Sequence, residues 1–147
     1  MSAELTTFVD TNILVYAYDL DAGPKHEVAR SVVADLWRSR LGVLSTQVLQ
    51  EFYVTVTRKL TNPLRRRTAR EVVASYLSWR VQPVSAEDVL AASQLEERHR
   101  LSFWDALIVV SARNAGVERL VSEDLQPGRR IAGILVENPF AMIEEAG

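Results

Sequence analysis

The stretch LTTFVDTNILVYAYD, residues 5–19, constrains the fold more than any other part of the chain. Residues 6–9 are β-branched or aromatic and predict a short buried strand, whereas residues 13–18 suit a helix. Asp10, Thr11 and Asn12 lie between the predicted strand and the predicted helix, and side chains of these types cap helix N-termini. Asp10 is therefore predicted at the carboxyl end of a strand, where open α/β sheets bind ligands, although an aspartate in such a turn can also be a cap and nothing more.

The composition predicts one domain over residues 1–147. A chain of this length buries roughly two-thirds of its unfolded surface, and a content of 48% hydrophobic and 24% charged residues excludes a disordered class. The chain has no cysteine and only two histidines, so disulfides, thiolate catalysis and zinc sites built on cysteine are excluded, and any metal must be held by oxygen. The high apolar content fits a subunit or partner interface, and we expect a homodimer.

Nothing in the sequence predicts export or membrane insertion. The start, MSAELTT, has neither a basic nor an apolar segment, and the longest apolar run covers only residues 13–18. We therefore expect a cytoplasmic protein. A net charge of −2 and a pI near 5.7 give no overall attraction for nucleic acid, so local patches must supply any such binding.

One local patch is strongly basic. Six of the 17 lysines and arginines fall between positions 58 and 70, and no acid occurs from position 52 to position 70. Such a run is more often a solvated helix face than a phosphate-binding surface, and both interpretations stay open. The candidate residues for nucleic-acid or partner binding are Arg65, Arg66 and Arg67.

Short apolar strands alternate with helices along the chain. The helices are predicted from apolar positions at helical spacing and from capping signals such as Ser85-Ala-Glu-Asp88, and Gly42 suits the residue past the end of the second helix. This alternation predicts an α/β fold with a short parallel sheet flanked by helices on both faces. The predicted strands cover residues 6–9, 43–45, 81–84, 120–122 and 134–137, and the predicted helices cover residues 13–18, 24–41, 47–60, 68–79, 86–99 and 103–115, with a turn at 123–128 and a frayed end after 138.

Three further acids are predicted near the same edge of the sheet as Asp10. Glu51 lies about a turn and a half into the helix after the second strand, and Asp124 lies just past the fourth strand. Asp105 opens an apolar helix that follows another helix, so the loop before it must carry the chain back across the domain. Ser102-x-x-Asp105 is itself a capping box, which would make this acid structural, yet no lysine or arginine lies within four residues of Asp105 to compensate a buried charge.

Together the four acids indicate a metal site. Converging carboxylates without basic neighbours repel one another unless divalent ions lie between them, and Mg²⁺ or Mn²⁺ prefers such oxygen ligands. We expect Asp10, Glu51 and Asp105 to hold a first ion, and Asp10 with Asp124 to be able to hold a second. Such a site suits the hydrolysis of phosphate esters by water, and the sequence offers no cysteine and no serine–histidine pair for a covalent route.

Four segments in this order and spacing, FVDTNILVYAYD, STQVLQEFYV, SFWDALIVVSA and LVSEDLQPG, resemble the PIN-domain ribonucleases, most closely the VapC-type toxins of bacterial toxin–antitoxin pairs. The resemblance implies a PIN-like, Rossmann-like three-layer domain, metal-dependent endonucleolytic cleavage of RNA, and a small antitoxin protein as partner. Where the family often has Thr-Asn-Asp near its end, this chain has Ser-Glu-Asp at 122–124, and we choose the last of these as the fourth acid. By this resemblance the catalytic and metal-binding acids are Asp10, Glu51, Asp105 and Asp124, with Asn12 and Ser122 in support.

Other functions fit the residues less well. A phosphatase of the haloacid dehalogenase type needs an acid where Asn12 stands, and a phospho-acceptor receiver domain needs adjacent acids near its start. A catalytically silent PIN-like binding module and a housekeeping PIN nuclease remain as alternatives. A metal-dependence assay on RNA separates the silent module from an enzyme, and an adjacent small antitoxin gene would favour the toxin over the housekeeping nuclease.

Overall fold

The computed structural model describes residues 5–125 and 128–146. The first four residues of the start and residues 126–127 of the predicted turn lie outside these ranges. The described strands are β1 (Thr7–Val9), β2 (Gly42–Ser45), β3 (Arg80–Gln82), β4 (Arg119–Val121), β5 (Arg130–Ile131) and β6 (Ile134–Glu137). The described helices are α1 (Thr11–Tyr18), α2 (Pro24–Ser39), α3 (Thr46–Arg58), α4 (Arg66–Tyr76), α5 (Ala86–His99), α6 (Phe103–Ala115) and α7 (Ala141–Ala146).

The six strands form one sheet in the order β3-β2-β1-β4-β6-β5. All neighbours are parallel except β5, which is antiparallel to β6. The predicted α/β fold with a largely parallel sheet is confirmed. The sequence does not predict β5, because two residues are too few to show an alternating pattern. In a parallel sheet the carboxyl ends of the strands meet at one edge, which brings the residues after β1 and β4 together.

The core lies between the central strands and the helices that cover them. Phe8 of β1, Phe52 of α3 and Phe140 before α7 are fully buried. Every residue from 106 to 112 on α6 is buried, so the prediction that this helix is central in the core is confirmed. None of the described helices is long and apolar enough to cross a membrane.

Two predictions about where helices end or begin are wrong, one after α2 and one after residue 138. Arg40, not Gly42, follows α2 as its cap in the left-handed conformation, with φ of 62°, and Gly42 is the first residue of β2. Gly42 is small for a different reason, because a Cβ at this position would overlap the ring of Trp79. The sequence predicts a frayed end after residue 138, whereas the structure has the short helix α7 there.

Candidate active site

Asp10 lies between the end of β1 and the first turn of α1. Its backbone is extended, and its Oδ1 accepts a hydrogen bond of 2.7 Å from the N–H of Thr11. Its Oδ2 accepts a second bond of 2.7 Å from the hydroxyl of Ser122, which follows β4 on the neighbouring strand. Because both oxygens are held from two adjacent strand ends, the carboxylate has a fixed orientation, and only 4% of the residue is exposed.

Burial raises the pKa of Asp10 from 3.8 to about 7. The bonds from Ser122 and Thr11 lower the pKa, whereas the negative charges of Asp105 and Asp124 raise it further. A buried acid without a basic partner is costly in its charged form. The site therefore disfavours its own charge in the absence of a cation.

Asp105 lies in the first turn of α6, and its carboxylate is not used as a cap. The hydroxyl of Ser102 accepts a bond of 3.1 Å from the N–H of Asp105. In α5 the equivalent pair is reciprocal, because Asp88 also accepts a bond of 2.8 Å from the N–H of Ser85. Within the described residues Asp105 has no such return bond, so its carboxylate is left available to a ligand.

Asp124 follows β4 by three residues and is anchored by two contacts. Its N–H donates to the hydroxyl of Ser122 over 3.2 Å, and its Oδ2 accepts a bond of 2.6 Å from the side-chain amide of Asn12. Partial burial raises the pKa of Asp124, and the charges of Asp105 and Glu123 add to this effect. Asn12 and Ser122 thus tie the segment after β4 to the first turn of α1 and to Asp10 before it.

The three aspartates form one cluster. Asp10, Asp105 and Asp124 each offer a carboxylate oxygen, and these three atoms lie within 4.8 Å of one another. Within the described residues, no ion pair of 4 Å or less joins any of them to a lysine, arginine or histidine. Three negative groups at this separation repel one another unless a cation lies between them, and the charge of Lys25 only partly offsets this repulsion at Asp124, whose pKa is still raised.

Glu51, the fourth of the predicted acids, lies on the wall of the same cavity and outside this cluster. Its Oε1 accepts a bond of 2.6 Å from the hydroxyl of Thr11, and its Oε2 accepts one of 3.4 Å from the amide of Gln47. Thr11 therefore links the two acids, because its hydroxyl donates to Glu51 and its N–H donates to Asp10. The cavity has a volume of about 570 Å³ and also contains all three clustered aspartates.

Glu123 is bound elsewhere. Its Oε1 accepts a bond of 2.7 Å from the hydroxyl of Tyr16, and its Oε2 pairs with the ammonium of Lys25. Lys25 also lies over the ring of Tyr16, at 5.3 Å from its centroid. Both carboxylate oxygens of Glu123 are therefore bound by Tyr16 and Lys25, and its neighbour Asp124 is the acid that joins the aspartate cluster.

Several cavity residues are missed by sequence reasoning. Thr11 and Gln47 orient Glu51, and the signal for Thr11 is its position between Asp10 and Asn12 in the capping turn. Trp104 lines the cavity next to Asp105, but a tryptophan in an apolar helix is typical of a core position. Lys59 also lines the cavity, and only the fold reveals this because α3 runs along the wall.

The three candidate arginines of the basic patch lie at the exposed start of α4. Arg65, Arg66 and Arg67 are exposed, and Arg67 forms an ion pair of 3.4 Å with Glu71. Glu71, the first acid after the acid-free stretch, therefore partly neutralises the charge of these arginines. Lys59, at the end of α3, extends the basic run to the wall of the acidic cavity.

The donor set fits a hard divalent cation. Mg²⁺ takes oxygen ligands about 2.0–2.1 Å from the metal, so its ligand atoms lie at most about 4 Å apart, close to the spread of the three aspartate oxygens. The cluster contains carboxylates alone, without nitrogen or sulfur ligands. Carboxylate sites of this kind suit Mg²⁺ or Mn²⁺ rather than zinc or copper.

Comparisons with known proteins agree with the fold. The sequence profile of the PIN domain family matches residues 7–133. The structure resembles Mycobacterium tuberculosis VapC20, a toxin that cleaves the sarcin-ricin loop, with 26% identity, a TM-score of 0.61, and coverage of 78% of this chain and 86% of that one. No match to the chain is found among curated proteins.

Two further solved structures share the fold at lower identity. One is a toxin–antitoxin complex from Klebsiella pneumoniae, with 19% identity, a TM-score of 0.66, and coverage of 90% of this chain and 97% of that one. The other is VapBC2 from Rickettsia felis bound to a DNA fragment from its promoter, with 21% identity, a TM-score of 0.63 and the same coverage. The profile match over residues 7–133, together with the likeness to VapC20, confirms the resemblance of the four sequence segments to the PIN-domain ribonucleases.

Proposed function

We propose that this chain, which belongs to the PIN domain family, is a Mg²⁺- or Mn²⁺-dependent endoribonuclease that hydrolyses RNA phosphodiesters. The observation that carries the proposal is that one carboxylate oxygen each of Asp10, Asp105 and Asp124 lie within 4.8 Å of one another in an open cavity. A divalent cation bound there would polarise the phosphoryl group and make water a better nucleophile near neutral pH.

The residues of the chain have distinct tasks in this proposal. The three aspartates hold the cation, while Ser122 and Thr11 fix both oxygens of Asp10 so that the site needs little rearrangement. Glu51, held by the hydroxyl of Thr11, is suited to accept a proton from the attacking water or to ligate through solvent.

The toxin role rests on the structural neighbours. VapC20 is an RNA-cleaving toxin, and the two other neighbours are toxin–antitoxin complexes. We therefore propose a small antitoxin protein as partner and RNA as substrate. A homodimer and a cytoplasmic location stay predictions from the sequence.

The test compares wild type with Asp10→Asn on RNA in Mg²⁺, Mn²⁺ and EDTA. Wild type should cleave with either metal and not with EDTA, and Asp10→Asn should lower cleavage roughly 100-fold or more, because it weakens the site that stabilises the transition state. Asp35→Asn, which alters a surface acid paired with Arg38, is the matched control and should retain activity. Cleavage that persists in EDTA, or in Asp10→Asn at the wild-type rate, would contradict the proposal.

A further inference from the structure

One large aromatic side chain stands exposed on the wall of the acidic cavity. Trp104 immediately precedes Asp105, lines the same cavity as Asp10, and is 60% exposed. Tryptophan is usually well buried, and Trp79 in this chain is only 9% exposed. The indole of Trp104 therefore offers exposed aromatic surface to a ligand that enters the cavity.

The indole is mounted on a rigid part of the molecule. Trp104 lies in the first turn of α6, whose residues 106–112 are all buried, and its backbone carbonyl accepts a bond of 3.2 Å from the side-chain amide of Gln47. The ring of Phe103 packs edge-on against it, with centroids 5.2 Å apart and planes at 82°. Such support fixes a ring face in advance, which lowers the entropic cost when something stacks on it.

The chemistry of the cavity indicates what would stack there. Besides the acids, its walls carry the polar side chains of Gln50, Thr55 and Lys59 together with apolar side chains. They therefore combine groups that can bind the phosphates and sugars of a nucleic acid with surface that a flat base can cover. A nucleotide carries a phosphate and a flat base on one sugar. A phosphate at the aspartates therefore leaves its base within reach of the neighbouring wall.

Resting on the proposed ribonuclease function, we infer that Trp104 is the platform on which a base next to the cleaved phosphate stacks. Stacking of a base on an aromatic side chain is worth about 1–3 kcal/mol and tolerates any base. Trp104 would therefore favour single-stranded RNA, in which a base is free to leave its neighbours, over a continuous duplex.

The experiment combines protein variants with modified RNA. A single-stranded RNA of about 12 nucleotides spanning a mapped cut is prepared intact and with an abasic ribose on either side of the cut. Trp104→Leu, Trp104→Phe and wild type are compared by KM and kcat in Mg²⁺, and by Kd with Ca²⁺ in place of Mg²⁺. Trp37→Leu is the control, because Trp37 is also partly exposed but lies at the opposite end of the sheet.

We expect Trp104→Leu to raise KM and Kd about 5- to 150-fold with a smaller change in kcat, and Trp104→Phe to recover most of this loss. For one of the two abasic RNAs, the KM and Kd of wild type should rise by a similar factor, whereas those of Trp104→Leu should hardly change. A merely structural role of Trp104 would not produce this difference. Trp37→Leu should retain wild-type values.

The outcomes separate this inference from the function on which it rests. If wild type cleaves no RNA with either metal, the ribonuclease function itself is wrong. If wild type cleaves but Trp104→Leu keeps the wild-type KM, Kd and abasic penalty, only the stacking role is wrong. If those values stay unchanged while a protein purified together with the chain binds Trp104→Leu more weakly, the ring docks a protein and base stacking is overturned.

Discussion

At the carboxyl end of the sheet three aspartates converge, whereas at the amino end three aromatic rings pack against one another and one of them lies against a glycine. Trp79 lies 5.4 Å from Trp37 and 4.9 Å from Tyr76, measured between ring centroids, and Gly42 leaves the space for its indole. Tyr76 is fully buried, and its hydroxyl pairs with that of Tyr18 over 2.8 Å. These contacts add packing, and the bond between the two tyrosines satisfies their hydroxyl groups.

At the carboxyl end of the sheet, by contrast, the clustered acids lower the stability of the metal-free protein. Burial of Asp10, with two other acids beside it, disfavours its charged form in the metal-free protein and raises its pKa. If the proposed function is right, the protein separates two demands in space, with stability gained at the amino end of the sheet and the reaction placed at the carboxyl end. Each of the following predictions tests this division.

The largest effect is expected from pH in the metal-free protein. Since the pKa of Asp10 is about 7 when folded and near 3.8 in the unfolded chain, the folded state keeps a proton that the unfolded state loses between these values. The contribution of Asp10 to the free energy of unfolding in EDTA should therefore be largest below pH 4 and fall, by on the order of a few kcal/mol, as the pH rises to 7, and the difference between wild type and Asp10→Asn isolates it from other titrating groups. Asp10→Asn should flatten this slope and be at least as stable as wild type at pH 7.

Urea unfolding in EDTA at several pH values measures this effect. Asp35→Asn, at an exposed surface acid, should keep the wild-type slope. A much lower stability of Asp10→Asn at pH 7 would mean that Asp10 is chiefly a helix cap.

The second prediction compares two aspartates at the same helical position. Asp88 completes a capping box and also binds Asn114, so Asp88→Asn should cost about 1 kcal/mol of stability and spare cleavage. Asp105 lacks the return bond, so Asp105→Asn should change the stability of the metal-free protein by less than about 0.5 kcal/mol. It should nevertheless lower cleavage roughly 100-fold and remove the stabilisation by Mg²⁺.

Thermal melting with and without Mg²⁺ measures both variants. An Asp105→Asn protein whose melting temperature still rises with Mg²⁺ as in wild type would exclude a ligand role for Asp105.

At the aromatic end, Gly42→Ala should destabilise the protein by about 1–3 kcal/mol and leave cleavage unchanged below its melting temperature. The new Cβ overlaps the ring of Trp79, which cannot withdraw because Trp37 and Tyr76 pack against it. In a Trp79→Leu background the same change should cost less, because the space is then free. Equal costs in both backgrounds would show that the clash with Trp79 is not the cause.

The sequence predicts one end of the sheet better than the other. Asp10, Asn12 and Ser122 could be placed because each follows a short apolar strand, and parallel strands end at one edge. The convergence of Asp105 requires the path of the loop between α5 and α6, which no local pattern encodes. The prediction for Gly42 is wrong because its small size serves a contact with Trp79, 37 residues further along the chain, and the sequence carries no sign of that contact.

The smallest effect concerns how an acidic chain attracts RNA. Arg65, Arg66 and Arg67 are exposed, and Arg67 alone of the three is paired with an acid in the part of the chain that the structure describes. We predict that replacing all three by serine weakens RNA binding, measured with Ca²⁺ in place of Mg²⁺, and flattens its dependence on salt. The slope of log affinity against log salt should fall by about 0.7 for each phosphate that the variant no longer binds.

A control for this prediction must change the net charge equally. Arg30, Arg98 and Arg113 are exposed outside the basic patch, so replacing these three by serine removes the same charge without touching α4. The control should keep the salt slope, because that slope counts the counterions released where protein and RNA touch, not the total charge of the protein. Binding of a partner protein, measured in parallel, distinguishes a contact with RNA from one with an acidic antitoxin segment. If the α4 variant keeps wild-type affinities and slopes for both partners, the patch is only a solvated face, and the carboxyl end must hold RNA through the cavity alone.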